Sequence, residues 1–265
     1  MTFPNQVESV LLAGGRFTEL PEGEACPPGK GLVPIGGLPM AARPLRALRD
    51  SARVRRVILV SPVRREELEP GNWDGVDTVI EAGASILESY ARGVRQALDL
   101  DNPVLSVTGD LPFLTEGAVT DFVERCSRRP EVSVWYGFLR RENSERVYPG
   151  LHHTWARLAE GTFCGTGLIM IRPRVLDQVE VALRAVTQHR KNPLRLAGLL
   201  GWDAVLAYLF RRLTVARAER AGERLLGVPC AGIESPYAET AFNVDDLPTL
   251  VEARRLALAV EGVSG

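Results

Sequence analysis

Two kinds of apolar pattern alternate along the first half of the chain. Short runs rich in valine, isoleucine and leucine predict buried strands, and the stretches between them have the spacing of amphipathic helices. This rhythm is typical of a parallel sheet whose strands are joined by crossover helices. The predicted strands are residues 7–13, 56–61, 76–81 and 103–107, and the predicted helices are residues 39–51, 85–100 and 115–129.

The rhythm changes after Pro130, where strand-like segments follow one another with no helix between them. Such a succession predicts some antiparallel pairing, because antiparallel neighbours need no crossover helix. The segments are residues 132–139, 153–158 and 163–171.

The last third of the chain is mainly helical in pattern. Residues 173–227 predict several consecutive helices, with breaks near Asn192 and Gly201. A final short strand is predicted at 241–244, followed by a closing helix at 247–260.

Length and charge narrow the class of protein. The chain has 265 residues, of which 45% are apolar, so it can bury a substantial core. We expect a single domain over residues 1–265, with residues 173–227 as a helical insertion within it. Basic and acidic residues nearly balance, 32 against 33, so charge gives no general attraction for nucleic acid or an anionic membrane. Any anion-binding site must therefore be local.

Cysteine usage and apolar run lengths bear on the cellular setting. The four cysteines are far apart and show no metal-ligand spacing, which argues against a zinc site or a disulfide framework and indicates a reducing, cytoplasmic environment. The first apolar run lacks the basic stretch and the length of a signal peptide. Residues 196–210 are apolar but contain Asp203 and are too short for a membrane span, so they predict a buried or interfacial helix.

A glycine pair follows the first predicted strand, and a long polar loop leads from it to a lysine. Gly14 and Gly15 would let backbone N–H groups approach a ligand closely, and Arg16 and Lys30 place two cations on the same loop. The spacing matches neither the Walker loop nor the GxGxxG dinucleotide motif. The residues alone leave two interpretations open, a phosphate-binding loop or an ordinary turn with solvated side chains.

Acidic residues follow two other predicted strands. Asp110 lies in the sequence GDLP, whose proline holds the residue before it extended at the edge where open α/β sheets bind ligands. Aspartate is also a common turn residue. If residues 242–245 are extended, Asn243 and Asp245 point to one face, whereas helix capping by Asp245 or Asp246 is the structural alternative.

Three further features allow both a structural and a ligand-binding interpretation. Ser85 begins a capping-box pattern with Glu88, which accounts for it without a ligand. Gly165 and Gly167 either let a substrate approach or relieve a crowded strand. Cys164 fits a small packed residue better than a nucleophile, because no partner histidine is placed beside it.

Together these segments resemble the MobA-like nucleotidyltransferases, the family that includes the molybdenum-cofactor guanylyltransferases. The matching motifs are LLAGGR, GKGLVPIGGLPM, GDLPFLT, TWARLAEGTFCGTGLIMI and FNVDD, and the resemblance covers most of the chain. The stretches GTFCGTG and NPLRLAGLLGWD are similar to one branch of that family. The resemblance implies a doubly wound, mostly parallel sheet of the glycosyltransferase-A type, with three Rossmann-like layers.

The resemblance also implies a reaction and a set of residues. The family transfers a nucleoside monophosphate from a nucleoside triphosphate to a phosphorylated acceptor, releases pyrophosphate and uses Mg²⁺. Positioning and charge stabilisation carry such chemistry, because an acceptor phosphate is already ionised. The implied catalytic residues are Lys30, Arg16 and Asp110; the nucleotide-binding residues are Leu12, Ala13, Gly14, Gly15, Arg16, Lys30, Gly83, Ser85, Gly109 and Asp110; and the metal ligands are Asp110 with Asp245, preferred for its charge, or Asn243.

The chain departs from the family pattern at two places. The segment before Lys30 carries Glu19, Glu22 and Glu24, which would repel a triphosphate if they faced it. We expect these carboxylates to point into solvent, or the loop to be a lid. Thr249 stands where many family members carry an acidic residue.

Three classes of function fit these features. The first, which we take as the main expectation, is an enzyme for Mg²⁺-dependent nucleotidyl transfer to a small phosphorylated acceptor. The second is a nucleotide-binding regulatory module without catalysis, which the acidic loop would suit. The third is glycosyl transfer from a nucleotide sugar, which usually needs an Asp-x-Asp motif where this chain has Asp110-Leu111-Pro112.

Overall fold

The structure is a computed structural model that describes residues 3–17, 20–189 and 193–261. Asn192, near which a helix break is predicted, and Glu19 lie outside the described residues. The strands are β1 (Val7–Leu12), β2 (Pro34–Ile35), β3 (Leu38–Pro39), β4 (Val54–Ser61), β5 (Thr78–Glu81), β6 (Val104–Thr108), β7 (Val134–Arg140), β8 (Ala156–Leu158), β9 (Gly161–Ile171) and β10 (Cys230–Ser235). The helices are α1 (Ala42–Asp50), α2 (Ile86–Val94), α3 (Glu116–Ser127), α4 (Arg141–Val147), α5 (Leu176–His189), α6 (Pro193–Leu200), α7 (Trp202–Leu209), α8 (Val215–Leu226) and α9 (Leu247–Glu261).

A central sheet organises the described part of the chain. Its strands follow the order β10-β7-β9-β6-β1-β4-β5, and β8 pairs with β9 beside this path. The pairs β1–β4, β1–β6, β4–β5 and β7–β10 are parallel, whereas β9 runs antiparallel to β6, β7 and β8. The mostly parallel sheet and the antiparallel pairing after Pro130 are both confirmed. The prediction that no helix separates the segments at 132–139 and 153–158 is wrong, because α4 (Arg141–Val147) lies between β7 and β8.

Helices cover both faces of the sheet, which confirms the three-layer α/β architecture. On one face α1 and α3 pack over a buried cluster that includes Leu45, Phe122 and Trp135. On the other face α2, α5 and α8 pack over a second cluster that includes Val10 and Ile171. Between them, strands β1, β4 and β6 are buried on both sides along most of their length, as is typical of parallel sheets.

The chain reverses its direction of travel across the sheet next to β1. It runs from β1 to β4 and β5 on one side, and then returns to β6 on the other side of β1. Connections that diverge in this way leave a crevice at the carboxyl ends of the two adjacent strands. Gly14 follows β1 and Asp110 follows β6, so both lie at this switch point.

The prediction of a strand at 241–244 is wrong, and the sequence pattern did not predict strand β10. Ala241 ends a short 3-10 turn, and Phe242 and Val244 are fully buried against α9 and neighbouring aromatic rings instead of in a ladder. Their apolar character therefore reflects loop packing. Strand β10 shows alternate burial along its length, and it pairs with β7 from Cys230 to Ser235.

Some helix boundaries also differ from the prediction. Helix α1 begins at Ala42 and not at residue 39, because β3 pairs with β2 through a tight turn at Gly36 and Gly37, whose φ angles are 55° and 69°. Positive φ at both central residues is the geometry of a type I′ hairpin turn. Helix α2 ends at Val94, earlier than predicted.

The consecutive helices α5 to α8 occupy the segment for which they are predicted. The predicted break at Gly201 is confirmed, and its φ of 91° is a conformation that favours glycine. None of the helices in the described ranges combines the length and the apolar character that a membrane crossing requires.

Candidate active site

Backbone hydrogen bonds bring three sequence motifs to the switch point. The Gly109 N–H donates to the carbonyl of Leu12 over 2.8 Å, which joins the GDLP turn to the end of β1. The Val244 N–H donates to the carbonyl of Asp110 over 3.0 Å, which joins the FNVDD segment to the same turn. A Cβ at Gly109 would lie 2.8 Å from the Leu12 carbonyl oxygen, and a Cβ at Gly31 would lie 2.9 Å from the Cβ of Ala13, so both glycines allow this close approach.

Lys30 lies between two carboxylates at this point. Its Nζ is 2.5 Å from Oδ2 of Asp110 and donates a 2.6 Å hydrogen bond to Oδ1 of Asp245. The side chains of Lys30 and Asp110 are only 12% and 11% exposed, whereas that of Asp245 is 70% exposed. The cluster is therefore closed on the sheet side and open to solvent on the other, which is the shape of a substrate site. We call these three residues the charge cluster.

The charges in the cluster hold Lys30 protonated. Burial works to lower the pKa of Lys30, but the charge and hydrogen bonds of Asp110 and of Asp245 outweigh it and raise the pKa. With two carboxylates and one ammonium, the cluster has an excess negative charge.

One oxygen of the cluster has no partner. Oδ1 of Asp110 is buried, and it accepts no hydrogen bond from any described residue. A buried carboxylate oxygen is normally satisfied, because an unpaired one costs free energy. This oxygen is thus available to a ligand or a cation.

The glycine loop closes onto the charge cluster. The Lys30 N–H donates to the carbonyl of Gly15 over 2.5 Å, so both ends of the loop meet beside the lysine. A side chain at Gly14 would collide with Ala82 beyond β5, whereas a Cβ at Gly15 would make only ordinary contacts with Lys30. Arg16 is exposed and, among the described residues, makes no ion pair. The loop thus presents one buried and one exposed cation.

The two interpretations of the FNVDD motif, a site residue and a helix cap, apply to different aspartates. Asp245 reaches Lys30, while Asp246 accepts a 2.9 Å hydrogen bond from the Thr249 N–H and caps α9. Thr249 in turn donates its hydroxyl to Asp246, which explains a threonine at that position. Within the described residues, the Asn243 side chain makes no hydrogen bond to Lys30 or Asp110.

The other proposed nucleotide-binding residues lie beside the glycine loop at the end of β5. Ser85 accepts a 3.2 Å hydrogen bond from the Glu88 N–H, which confirms the serine cap, whereas the Glu88 carboxylate accepts from the Ala84 N–H and not from Ser85. The Gly83 N–H donates to the Ser89 hydroxyl. Contact of either residue with a nucleotide stays a prediction.

The comparisons with known proteins identify the family. A family profile described as the MobA-like NTP transferase domain matches residues 9–157. A solved structure described as a hypothetical transferase from Thermus thermophilus is 31% identical, with a TM-score of 0.78 over 92% of this chain and 99% of that one. The chain belongs to the MobA-like NTP transferase family. It is accordingly a nucleotidyltransferase.

More distant structures share the fold of this MobA-like chain. The 2-C-methyl-D-erythritol 4-phosphate cytidylyltransferase of Thermus thermophilus is 19% identical with a TM-score of 0.54, over 96% of this chain and 99% of that one. CMP:2-keto-3-deoxy-manno-octonic acid synthetase, solved with CTP, is 16% identical with a TM-score of 0.62, over 97% and 100%. A search of curated proteins found no match.

The acidic segment of the MobA-like glycine loop is turned away from the cluster. Glu24 forms a bidentate pair with Arg254 of α9, with N–O distances of 2.6 and 2.8 Å, and Glu22 is exposed. A guanidinium fork that holds both oxygens of a carboxylate fixes its orientation. Sequence reasoning missed Arg254, because residues 230 positions apart give no local signal of pairing.

Replacing Arg254 with alanine is expected to loosen this segment. Residues 20–28 should then exchange backbone hydrogens faster in mass-spectrometric hydrogen exchange, because the Glu24 carboxylate loses its tether to α9. Arg255→Ala is the matched control, since Arg255 pairs with Glu252 inside the same helix. Equal protection of residues 20–28 in both variants would show that the pair does not position the loop.

Proposed function

We propose that this nucleotidyltransferase uses Mg²⁺, transfers a nucleoside monophosphate from a nucleoside triphosphate to a small phosphorylated acceptor, and releases pyrophosphate. The observation that carries the proposal is the charge cluster at the switch point, where Lys30 contacts both Asp110 and Asp245. Residues that are far apart in the sequence meet at the one edge where this class of sheet binds ligands.

The carboxylates of the cluster suit a divalent cation. Mg²⁺ is commonly held by one or two carboxylates together with phosphate oxygens and water. The unpartnered Oδ1 of Asp110 and the exposed carboxylate of Asp245 offer such a pair, and the excess negative charge of the cluster favours a cation. In the described ranges no three acidic, histidine or cysteine side chains group into a metal site, which agrees with a pair completed by substrate. When bound, Mg²⁺ would neutralise charge on the phosphate oxygens.

The cations of the loop supply the rest of the phosphate site. Lys30 would exchange its carboxylate partners for phosphate oxygens, and Arg16 faces a pocket of about 350 Å³ whose other lining residues are Phe17, Cys26, Pro27, Pro28 and Pro62. The bare backbone at Gly15 leaves room between these two side chains. Both charges would therefore bind the same triphosphate.

The transfer itself needs no side-chain nucleophile. An oxygen of the acceptor phosphate forms a bond to the α-phosphorus, the bond from that phosphorus to the bridging oxygen breaks, and pyrophosphate leaves with the electron pair. The residues at the switch point would lower the barrier by holding the two negatively charged reactants together. This role fits a cluster of fixed charges better than it fits a hydrolytic triad.

Replacing Gly15 with alanine is expected to lower kcat/KM for the nucleoside triphosphate by about 10- to 100-fold, because small displacements of a reacting group have effects of this size. The free energy of unfolding should change by less than about 1 kcal/mol, since the new methyl group meets only Lys30 at ordinary contact distance. Steady-state kinetics and thermal unfolding give the two values. Gly198→Ala, in open space on α6, is the control. Unchanged kinetics in Gly15→Ala would contradict a phosphate site at this loop.

The proposed reaction is tested with purified protein, Mg²⁺, each of the common nucleoside triphosphates and a panel of phosphorylated acceptors. Pyrophosphate release that requires an acceptor and is abolished in Asp110→Ala supports the proposal. Tight nucleotide binding without turnover across the panel would indicate a regulatory module instead. Consumption of a nucleotide sugar without pyrophosphate would indicate glycosyl transfer.

A further inference from the structure

A cavity of about 780 Å³ lies between the sheet and the helices α2, α5 and α8. Its floor is formed by strands β6, β7, β9 and β10, and its opposite wall by side chains such as Leu183 of α5 and Ala218 of α8. No lysine, arginine or histidine is among the described lining residues. Glu219 is a lining residue, but its carboxylate is held by the Gly232 N–H over 2.8 Å and by Arg129. The cavity is therefore apolar and offers no site for a second phosphate.

The size of the cavity indicates a ligand site. The cavity opens to solvent at its rim, where the lining residues Ile86 and Tyr136 are 70% and 48% exposed. Sites for small molecules measure roughly 300–1,000 Å³ and are lined mainly by apolar side chains with a few polar groups. Burial raises the pKa of the lining thiol of Cys164 to about 11, so it is neutral and adds no charge to the wall.

Two unpartnered hydroxyls mark the floor of the cavity. Ser106 and Thr108 are two residues apart on β6, so their side chains point to the same face of the sheet, and both line the cavity. Each hydroxyl oxygen is buried and makes no hydrogen bond with any described residue, and Ser106 is only 3% exposed. A buried hydroxyl without a partner is unfavourable. A polar atom of a bound ligand would remove this cost.

Residues that line the cavity are close in the sequence to residues at the charge cluster. Thr108 precedes Asp110 by two residues, so their Cα atoms are at most about 7 Å apart, and Leu12 of the lining precedes Gly14 by two. A single molecule can therefore have its phosphate at the cluster and its body in the cavity. Helices α5 and α8 supply much of the cavity wall.

We propose that the phosphorylated acceptor is an amphiphile, a phosphate monoester whose apolar body fills this cavity and whose first oxygen atoms beyond the phosphate bond to Thr108 and Ser106. This inference rests on the proposed function for the position of the phosphate. The bond changes are those of the proposed transfer, with the phosphate oxygen of the amphiphile as the attacking group.

Three soluble probes with the same head group test the inference by isothermal titration calorimetry below their micelle concentrations. Glycerol 3-phosphate has no apolar body, decyl phosphate has an apolar body without further oxygens, and 1-decanoylglycerol 3-phosphate has both. We expect decyl phosphate to bind at least about 100-fold more tightly than glycerol 3-phosphate, because each buried methylene adds about 0.8 kcal/mol. The decanoyl probe should bind most tightly. Equal binding of the three probes would overturn the inference.

Variants that block the cavity show where the alkyl chain of the probe binds. Ala218→Phe should remove most of the preference for decyl phosphate, whereas Ala216→Phe, on the exposed side of the same helix, should keep it. Leu183→Trp gives a second block from α5, with Val181→Trp, 69% exposed, as its control. Full preference in folded blocking variants would overturn the inference.

The Ser106→Ala variant tests the hydroxyls. Its preference for the decanoyl probe over decyl phosphate should be smaller than that of the wild-type protein, because only Thr108 remains, while its melting temperature stays unchanged or rises, because the hydroxyl has no partner to lose. An undiminished advantage of the decanoyl probe would exclude this contact.

Measurements of probe binding and of triphosphate turnover distinguish failure of the proposed reaction from failure of the amphiphile inference. Asp110→Asn should still bind decyl phosphate through the cavity even where transfer is lost. If amphiphiles bind in the cavity and no triphosphate is turned over, the proposed reaction fails and the cavity assignment stands. If transfer to glycerol 3-phosphate is as efficient as transfer to the decanoyl probe, the reaction stands and the amphiphile inference fails.

Discussion

Replacing Asp110 with asparagine is expected to lower kcat for pyrophosphate release by about 100- to 1,000-fold, the usual effect of removing one fixed group that stabilises charge in a transition state. The asparagine keeps the shape of the side chain but removes the charge that faces Lys30 and the carboxylate oxygen that accepts no hydrogen bond within the described residues. Steady-state kinetics with a saturating triphosphate gives the value, and circular dichroism shows that the fold is retained.

A second ion-paired aspartate provides the control for Asp110→Asn. Asp121 pairs with Arg125 on α3 over 2.6 Å, away from the carboxyl ends of β1 and β6. Asp121→Asn should leave kcat within about twofold, because surface pairs of this kind contribute little. Equal activity of Asp110→Asn and Asp121→Asn would remove Asp110 from the catalytic site.

Replacing Lys30 with methionine is expected to have two large effects. Turnover should fall by about 100-fold or more, because the buried cation that would neutralise the phosphates is lost. The free energy of unfolding should fall by about 3 kcal/mol, because the buried carboxylate of Asp110 loses its counter-charge and lies beside Asp245. Chemical denaturation followed by fluorescence measures the second effect.

The response to Mg²⁺ shows whether the two carboxylates left in Lys30→Met form a cation site or whether the substitution only damages the fold. Millimolar Mg²⁺ should raise the melting temperature of the variant more than that of the wild-type protein, since two carboxylates without an ammonium bind a cation more strongly. Arg255→Met, which removes an exposed cation from the single carboxylate of Glu252, should show no such difference. The same Mg²⁺ response in all three proteins would show that the two carboxylates do not form a cation site.

The local pattern of apolar residues was sufficient to predict most strands of the sheet. Strands β1, β4 and β6 are buried on both sides along most of their length, so each is rich in valine, isoleucine and leucine and is visible in the sequence. Residues 241–244 are apolar at three of four positions but pack against α9 and aromatic rings, and such a short run alone does not distinguish these two environments. Strand β10 gives only a weak sequence signal, because its buried positions are Ala231, Ile233 and the polar Ser235.

The residues of the candidate site were predictable from short motifs and not from the pattern of apolar residues. The glycine loop, GDLP and FNVDD are each short and ambiguous, and the resemblance gave them a common role. The structure brings Lys30 to Asp110 and to Asp245, which is 215 residues away in the chain. The tether from Glu24 to Arg254 and the cavity above Ser106 had no sequence signal, because each depends on the packing of distant segments.

The central claim is that Asp110 and Asp245 hold a divalent cation together with the triphosphate next to Lys30. Electron paramagnetic resonance with Mn²⁺ in place of Mg²⁺ measures this directly, because free Mn²⁺ gives a strong signal that binding removes. We expect the wild-type protein with a nucleoside triphosphate to bind one Mn²⁺ more tightly than the triphosphate alone does, and Asp110→Ala and Asp245→Ala to lose this gain. Wild-type affinity for the Mn²⁺–triphosphate complex in both variants would contradict the account.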